Sequence, residues 1–123
     1  MADVVMDRRG VPVLVCGDDG APIASTQDAL DLIGAAFSGA DLVAIPASRL
    51  DERFFALRTG LAGEIMQKFV NYRLRLAIVG DISAHVAAST ALRDLVVESN
   101  RGTQVWFVAD LAELDRRLAA AAA

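Results

Sequence analysis

The chain of 123 residues contains one cysteine and one histidine, Cys16 and His85. A lone cysteine cannot form an internal disulfide, and it suits a reducing compartment such as the cytoplasm. Zinc sites built from cysteine and histidine take several such ligands, which one chain cannot supply here. The sequence therefore predicts neither a disulfide framework nor a metal site of this type.

Long hydrophobic runs are also absent. Hydrophobic residues make up 54% of the chain, but much of this is alanine, and no apolar run approaches the roughly 20 residues of a membrane span. The opening MADVVMDRRG carries acidic residues and lacks the apolar core of a secretory leader. We expect a cytoplasmic protein with no membrane partner.

Basic residues are fewer than acidic ones. Twelve basic residues are scattered among sixteen acidic ones, giving a formal net charge of −4. Domains that bind nucleic acid use clustered lysine and arginine to neutralise phosphates, so we expect no nucleic-acid partner. The length suits one domain, residues 1–123, with a single hydrophobic core.

Residues with obvious catalytic chemistry are few. His85 has no acid or nucleophile beside it, and Cys16 ends a predicted buried strand, so packing roles suit both. The chain has no phosphate-binding P-loop, dinucleotide fingerprint or nucleophile elbow. The sequence predicts no catalytic residue and no cofactor, and it favours a non-enzymatic protein.

Strand and helix patterns alternate regularly along the chain. Apolar runs typical of buried strands cover residues 11–16, 41–45, 74–79 and 104–108, with a further possible strand at 2–6. Helices are expected after the capping residues Ser25 and Asp110, at residues 61–72 and at about residues 89–99, with a loop at 82–88. This order predicts an α/β fold with a four- or five-stranded, mostly parallel sheet and about four helices.

The strongest pattern is TGLAGEIMQKFVNYRLRLAIVGD, residues 59–81. Apolar residues recur at helical spacing on one side of its helix: Leu61, Ile65, Phe69 and Tyr72. Polar residues form the opposite side, which we interpret as an interaction surface: Glu64, Gln67, Lys68 and Asn71. Thr59 occupies the expected N-cap position. Gly63 is a poor helix former, and it predicts a close approach to the sheet or to a partner.

Two polar clusters are candidates for binding. Thr59, with Gly60 and Arg58, lies at a helix N-terminus after a parallel strand, where an anion such as phosphate is favoured. The second cluster has three members: Asp81, Asn100 and Arg101. An arginine beside an asparagine suits a carboxylate or phosphate. Because Arg101 precedes the last strand, we expect it at the opposite rim of the sheet from Thr59, which weakens an enzyme with a single pocket.

Residues 54–102 contain the motifs FFALRTGLAGEIMQKFVNY, LAIVGD and ESNRG. These motifs resemble a bacterial family classed only as a domain of unknown function, and the likeness spans nearly the whole chain. More distantly, the order of elements resembles the STAS domains, which include anti-sigma-factor antagonists and carry a phosphorylated serine at the start of a helix. That resemblance implies a STAS-like architecture with Thr59 at the phosphorylatable position. Leu57 and Arg58 replace the usual acid and first serine.

Two hypotheses of function follow. The first is a non-enzymatic, cytoplasmic regulatory module that resembles STAS domains and binds an unidentified protein partner. Such a module could form a homodimer, and its binding could be switched at Thr59. The alternative is a small-molecule-binding protein or enzyme whose site, completed by a dimer if need be, uses four residues: Thr59, Asp81, Asn100 and Arg101. A pocket lined by those groups would favour the alternative, and a partner-sized surface would favour the first.

Overall fold

Five strands form one sheet in the computed structural model, which describes residues 3–37 and 39–122. They are β1 (Val4–Arg8), β2 (Val11–Val15), β3 (Leu42–Pro46), β4 (Arg75–Val79) and β5 (Val105–Val108). Their spatial order follows the chain, β1-β2-β3-β4-β5. Strand β1 pairs antiparallel with β2, and the other neighbours pair in parallel. The predicted α/β fold with a mostly parallel sheet is therefore confirmed.

The first strand differs from its predicted bounds. Residue 2 lies outside the described part of the chain, and β1 continues to Arg8, beyond the predicted end at residue 6. The turn that follows is Arg9-Gly10, with φ values of 56° and 86°. Two successive positive φ values are typical of the tight I′ hairpin turn, whose twist matches that of the paired strands.

Six α-helices connect or follow the strands within the described residues. They are α1 (Thr26–Ala36), α2 (Glu52–Phe55), α3 (Leu61–Asn71), α4 (Ser83–Ala88), α5 (Thr90–Arg101) and α6 (Leu111–Ala122). The predicted caps are confirmed, because Ser25 Oγ accepts the Asp28 N–H and Asp110 Oδ1 accepts the Glu113 N–H. The predicted loop at residues 82–88 is wrong, since this alanine-rich run favours a helix and forms α4. None of these helices of the described chain is long and apolar enough to cross a membrane.

The helices are distributed unequally over the two faces of the sheet. The helices between successive parallel strands lie on one face, where α1, α2, α3 and α5 contribute to the larger core; the usual right-handed connection of such strands predicts this arrangement. Helix α6 packs on the opposite face, where Leu114 and Leu118 join Leu42, Ala77 and Trp106 in a second core. One helix cannot cover five strands, so part of this second face stays open near the carboxyl ends of the parallel strands.

Helix α3 buries Leu61, Ile65 and Phe69, as its apolar spacing predicts. Tyr72 does not join them and is 51% exposed, because it lies at the C-cap, where the backbone leaves helical geometry. The close approach expected at Gly63 is also wrong within this chain. A Cβ atom built on Gly63 would meet no atom within 4 Å, so the glycine faces open space.

Candidate functional site

A groove of about 630 Å³ lies between α3 and α5 on the face of the sheet that carries most of the helices. We call it the α3–α5 groove. Its apolar lining comes from five side chains: Leu57, before α3, and Met66, Val70, Leu95 and Val105 of α3, α5 and β5. Gln67 and Glu98 provide polar groups from the two helices. The groove therefore offers an apolar surface beside hydrogen-bonding groups.

Glycines help to keep this groove open. Gly60, with φ of 79°, precedes α3 in the left-handed conformation that favours glycine, and Gly63 follows in the first turn of the helix. A Cβ atom at either position would meet no atom within 4 Å. On its other side α3 packs against α1. Helix α3 thus contacts α1 and α2 directly and leaves a gap towards α5.

The predicted interaction surface adjoins the groove. Glu64, Gln67 and Asn71 are exposed and Lys68 is half-buried, so this side of α3 does face solvent. Gln67 Nε2 donates to Asn71 Oδ1 at 2.8 Å, which orders the two amides along the helix. Gln67 also lines the groove. Val70, on the groove side, is 45% exposed, so the apolar lining of the groove reaches solvent.

Thr59 does not occupy the N-cap position that the sequence predicts. That position belongs to Gly60. The Thr59 hydroxyl lies 2.6 Å from the Arg53 carbonyl oxygen and 2.8 Å from that of Ala56, so its single proton is directed at these two acceptors. The same oxygen accepts the Leu61 N–H at 3.3 Å. Thr59 therefore ties α2 to the first turn of α3.

These contacts bear on phosphorylation at Thr59. A phosphoryl group on Oγ1 would remove the donated proton and bring negative oxygens towards the carbonyls of Arg53 and Ala56. Carbonyl oxygens accept hydrogen bonds and repel an anion, so both contacts would be lost. Arg58 is exposed next to Thr59. The geometry thus opposes the expected local tolerance of a phosphate, in spite of the helix N-terminus.

The second polar cluster is divided between the two ends of the parallel strands. Asp81 follows β4 and accepts the Ser83 N–H at 2.9 Å, and hydrogen bonds from Ser83 hold the pKa of this carboxyl below its usual range. Arg101 ends α5 near the amino end of β5, at the opposite end of the strands from the carboxyl end of β4, and its exposed guanidinium lies 3.5 Å from Glu98. The topology therefore separates Arg101 from Asp81, and each of the two side chains already has a partner.

Asn100 has a structural role. Its Oδ1 accepts the Phe107 N–H at 2.8 Å, and its Nδ2 donates to the Phe107 carbonyl oxygen at 3.2 Å. The carboxamide is thus paired with the outer backbone edge of β5. The four residues of the alternative site, Thr59, Asp81, Asn100 and Arg101, all bond to groups near their own positions, and their side chains do not converge.

His85 and Cys16 occupy the packing roles expected from the sequence. The His85 ring stacks on Phe55 with centroids 4.1 Å apart and planes 11° from parallel. Cys16 is buried, and this burial raises the pKa of its thiol to about 12. A thiol with that pKa carries almost no thiolate at neutral pH, so Cys16 is a poor nucleophile.

Arg49 is a buried residue that the sequence reasoning missed. Its guanidinium is paired with Asp3 at 3.0 Å and donates to the carbonyl oxygens of Ala21 and Gly17. A Cβ atom on Gly20 would collide with this guanidinium, so a larger residue there would displace Arg49 from its position. The partners lie 28 or more positions from Arg49 along the chain. In the local sequence, only the two glycines of this loop, Gly17 and Gly20, indicated that another group packs closely against it.

A second cavity, of about 600 Å³, lies where the parallel strands end, on the face of the sheet that carries α6. We call it the carboxyl-edge pocket. Its apolar lining includes six residues from several segments: Val15, Cys16, Ala44, Pro46, Val79 and Leu111. Three aspartates complete the polar part: Asp18, Asp19 and Asp110. Sequence reasoning missed this pocket, although the carboxyl ends of parallel strands are where open α/β sheets bind ligands.

Comparison with known proteins adds a family but no activity. Neither the curated proteins nor the solved structures contain a match to this chain. The resemblance to STAS domains therefore rests on the order of elements alone. One protein-family model matches residues 8–118, which is most of the chain and includes the motifs from residue 54 to residue 102. This protein therefore belongs to the family described as Domain of unknown function (DUF4180).

Proposed function

We propose that this protein is a non-enzymatic, cytoplasmic interaction module that binds an apolar segment of a partner protein in the α3–α5 groove. The observation that carries the proposal is the open, glycine-lined gap between the two helices, with Met66, Val70 and Leu95 along its apolar lining. A contiguous apolar surface bordered by polar groups is typical of a protein-binding site. Gln67 and Glu98 provide polar groups of this kind beside the apolar lining.

The shape of the groove favours a peptide segment over a small ligand. Its lining residues run from Gly60, the N-cap of α3, to Val70 in the last turn, so it follows nearly the whole helix. Eleven residues of α-helix span about 16 Å, which is three turns. A partner helix that places apolar side chains one turn apart would fill such a groove, a common mode of peptide recognition.

The proposal leaves out two features of the earlier hypotheses. A switch at Thr59 is omitted because its hydroxyl proton already points at two carbonyl oxygens. An enzyme site at Thr59, Asp81, Asn100 and Arg101 is omitted because these side chains are engaged in separate places. The STAS-like regulatory role is kept as part of the proposal, with the order of elements as its support.

A pair of glycine substitutions provides the test. Gly63→Leu places a large side chain at the groove, and its Cβ atom would meet no other atom of the chain within 4 Å. Gly34→Leu is the matched control, because Gly34 also lies in an exposed helical position with free space around its Cβ. Both changes replace glycine by a better helix former and should raise stability by up to about 1 kcal/mol.

The readout is photo-crosslinking in the native host, with a photoreactive phenylalanine analogue in place of Gln67. We expect a specific crosslinked partner with the otherwise wild-type chain and with Gly34→Leu, and loss of that partner with Gly63→Leu. If the crosslinked partner is a second copy of the chain, the module is a homodimer through this groove. Crosslinks that survive Gly63→Leu, in a variant whose thermal melt shows a folded protein at least as stable as wild type, would exclude the groove as the binding site.

A further inference from the structure

We infer that the carboxyl-edge pocket is a binding site for a small organic cation, an amine with an apolar body. This inference is independent of the proposed protein-binding groove, which lies on the other face of the sheet. A volume of about 600 Å³ falls inside the range of roughly 300–1,000 Å³ that is typical of small-molecule sites.

The apolar part of the pocket comes from strand ends. Val15 ends β2, Pro46 ends β3 and Val79 ends β4, while Leu111 begins α6. Ala44 is small, and its place in β3 leaves depth where a larger residue would fill the space. These side chains form an apolar surface. The aromatic or aliphatic part of a ligand can displace water from it.

The wall of the pocket is held in place before any ligand binds. Gly17 N–H donates to Asp3 Oδ1 at 3.0 Å, and Arg49 donates to the same carboxylate and to the Gly17 carbonyl oxygen. The buried Arg49 guanidinium lies against Gly20, so the loop from Gly17 to Gly20 is fixed at both ends. A preformed wall lowers the cost of ordering the site on binding.

The charges around the pocket select against an anion. Asp18 and Asp110 line it, and no lysine, arginine or histidine is among its lining residues in the described chain. The nearest buried cation, Arg49, is paired with Asp3 and so contributes little net charge.

The positive end of α6 is also already satisfied. Asp110 Oδ1 accepts the Glu113 N–H at 2.8 Å, and Glu113 Oε1 accepts the Ala109 N–H at 2.7 Å. This reciprocal capping places two carboxylates where a bound anion would otherwise lie. An ammonium group beside Asp18 and Asp110, with its apolar body on the strand ends, is therefore the ligand chemistry that fits.

Three probes of matched size test the inference: phenethylamine, phenethyl alcohol and hydrocinnamate, which carry a cation, a neutral hydroxyl and an anion. Amide-resolved NMR titration at neutral pH follows the signals of Gly17, Ala109 and Leu111. We expect saturable shifts at these amides with the amine at about millimolar affinity, as suits so small a ligand. Hydrocinnamate should bind about tenfold more weakly or not at all.

Two pairs of variants assign the binding to this pocket. Asp18→Asn should weaken phenethylamine severalfold, whereas Asp31→Asn, on the exposed side of α1, should not. Ala109→Phe should close the mouth and abolish the shifts, whereas Ala120→Phe, exposed near the other end of α6, should leave them. Equal binding of the amine and hydrocinnamate, shifts that map to the α3–α5 groove, or no saturable binding of the amine would each overturn the inference.

Discussion

The carboxamide of Asn100 completes the outer edge of the sheet, and Asn100→Ala tests what that contact contributes. Strand β5 is last in the sheet order, and it presents the Gln104 and Val108 carbonyl oxygens to β4. Because alternate residues of a strand point their backbone groups in opposite directions, the N–H and C=O of Phe107 face away from the sheet. Both are bonded to Asn100, at 2.8 Å and 3.2 Å.

The expected cost of Asn100→Ala follows from these two hydrogen bonds. Each neutral hydrogen bond contributes about 1 kcal/mol net, so the loss of both should lower the free energy of unfolding by about 2 kcal/mol. A larger value is not expected, because β5 is an edge strand and water can reach the freed groups of Phe107. The exposed edge should also make the variant more prone to aggregate.

Urea unfolding measures the effect, with the fluorescence of the single tryptophan, Trp106, as the probe, since its side chain is only 4% exposed. Asn71→Ala is the control, because Asn71 is exposed and bonds to the Gln67 side chain alone among the described residues. It should cost less than about 0.5 kcal/mol. A stability of Asn100→Ala within about 0.5 kcal/mol of wild type, with an unchanged urea slope, would refute the structural role of Asn100.

Three further predictions concern the core, the loop held by arginine and the dependence of stability on pH. Phe69→Ala should lower the free energy of unfolding by about 3–5 kcal/mol, because Phe69 is fully buried, and a near-wild-type urea midpoint would show that the buried side of α3 is misassigned. Gly20→Ala should cost about 1–3 kcal/mol, because the added methyl displaces the Arg49 guanidinium from its partners; an unchanged thermal melt would contradict this. The hydrogen bond from Arg8 holds the pKa of Asp115 below its usual range, so this pair stabilises the fold above the ordinary aspartate pKa of about 3.9, and the contribution disappears as the pH falls through the lowered value. Arg8→Met should therefore remove up to about 1 kcal/mol at neutral pH and less in acid, and an equal loss at both pH values would argue against the pair.

The sequence by itself determined the class of fold and the buried side of its central helix. Alternating strand and helix patterns indicated a mostly parallel sheet, and the spacing of Leu61, Ile65 and Phe69 indicated which side of α3 faces the core. The caps at Ser25 and Asp110 were also readable, because a capping hydrogen bond joins residues only three positions apart. Each of these features depends on neighbours within one or two turns of chain.

The tertiary structure alone decided the roles of the polar residues. Thr59 bonds to a carbonyl of the preceding helix, Asn100 to the edge of a strand that follows it, and Arg49 to a loop and to Asp3, which come much earlier. The carboxyl-edge pocket likewise gathers strand ends that lie far apart in the chain. These outcomes were not visible in local patterns, because a side chain's hydrogen-bond partners and the gaps between helices are set by which elements the sheet topology brings together.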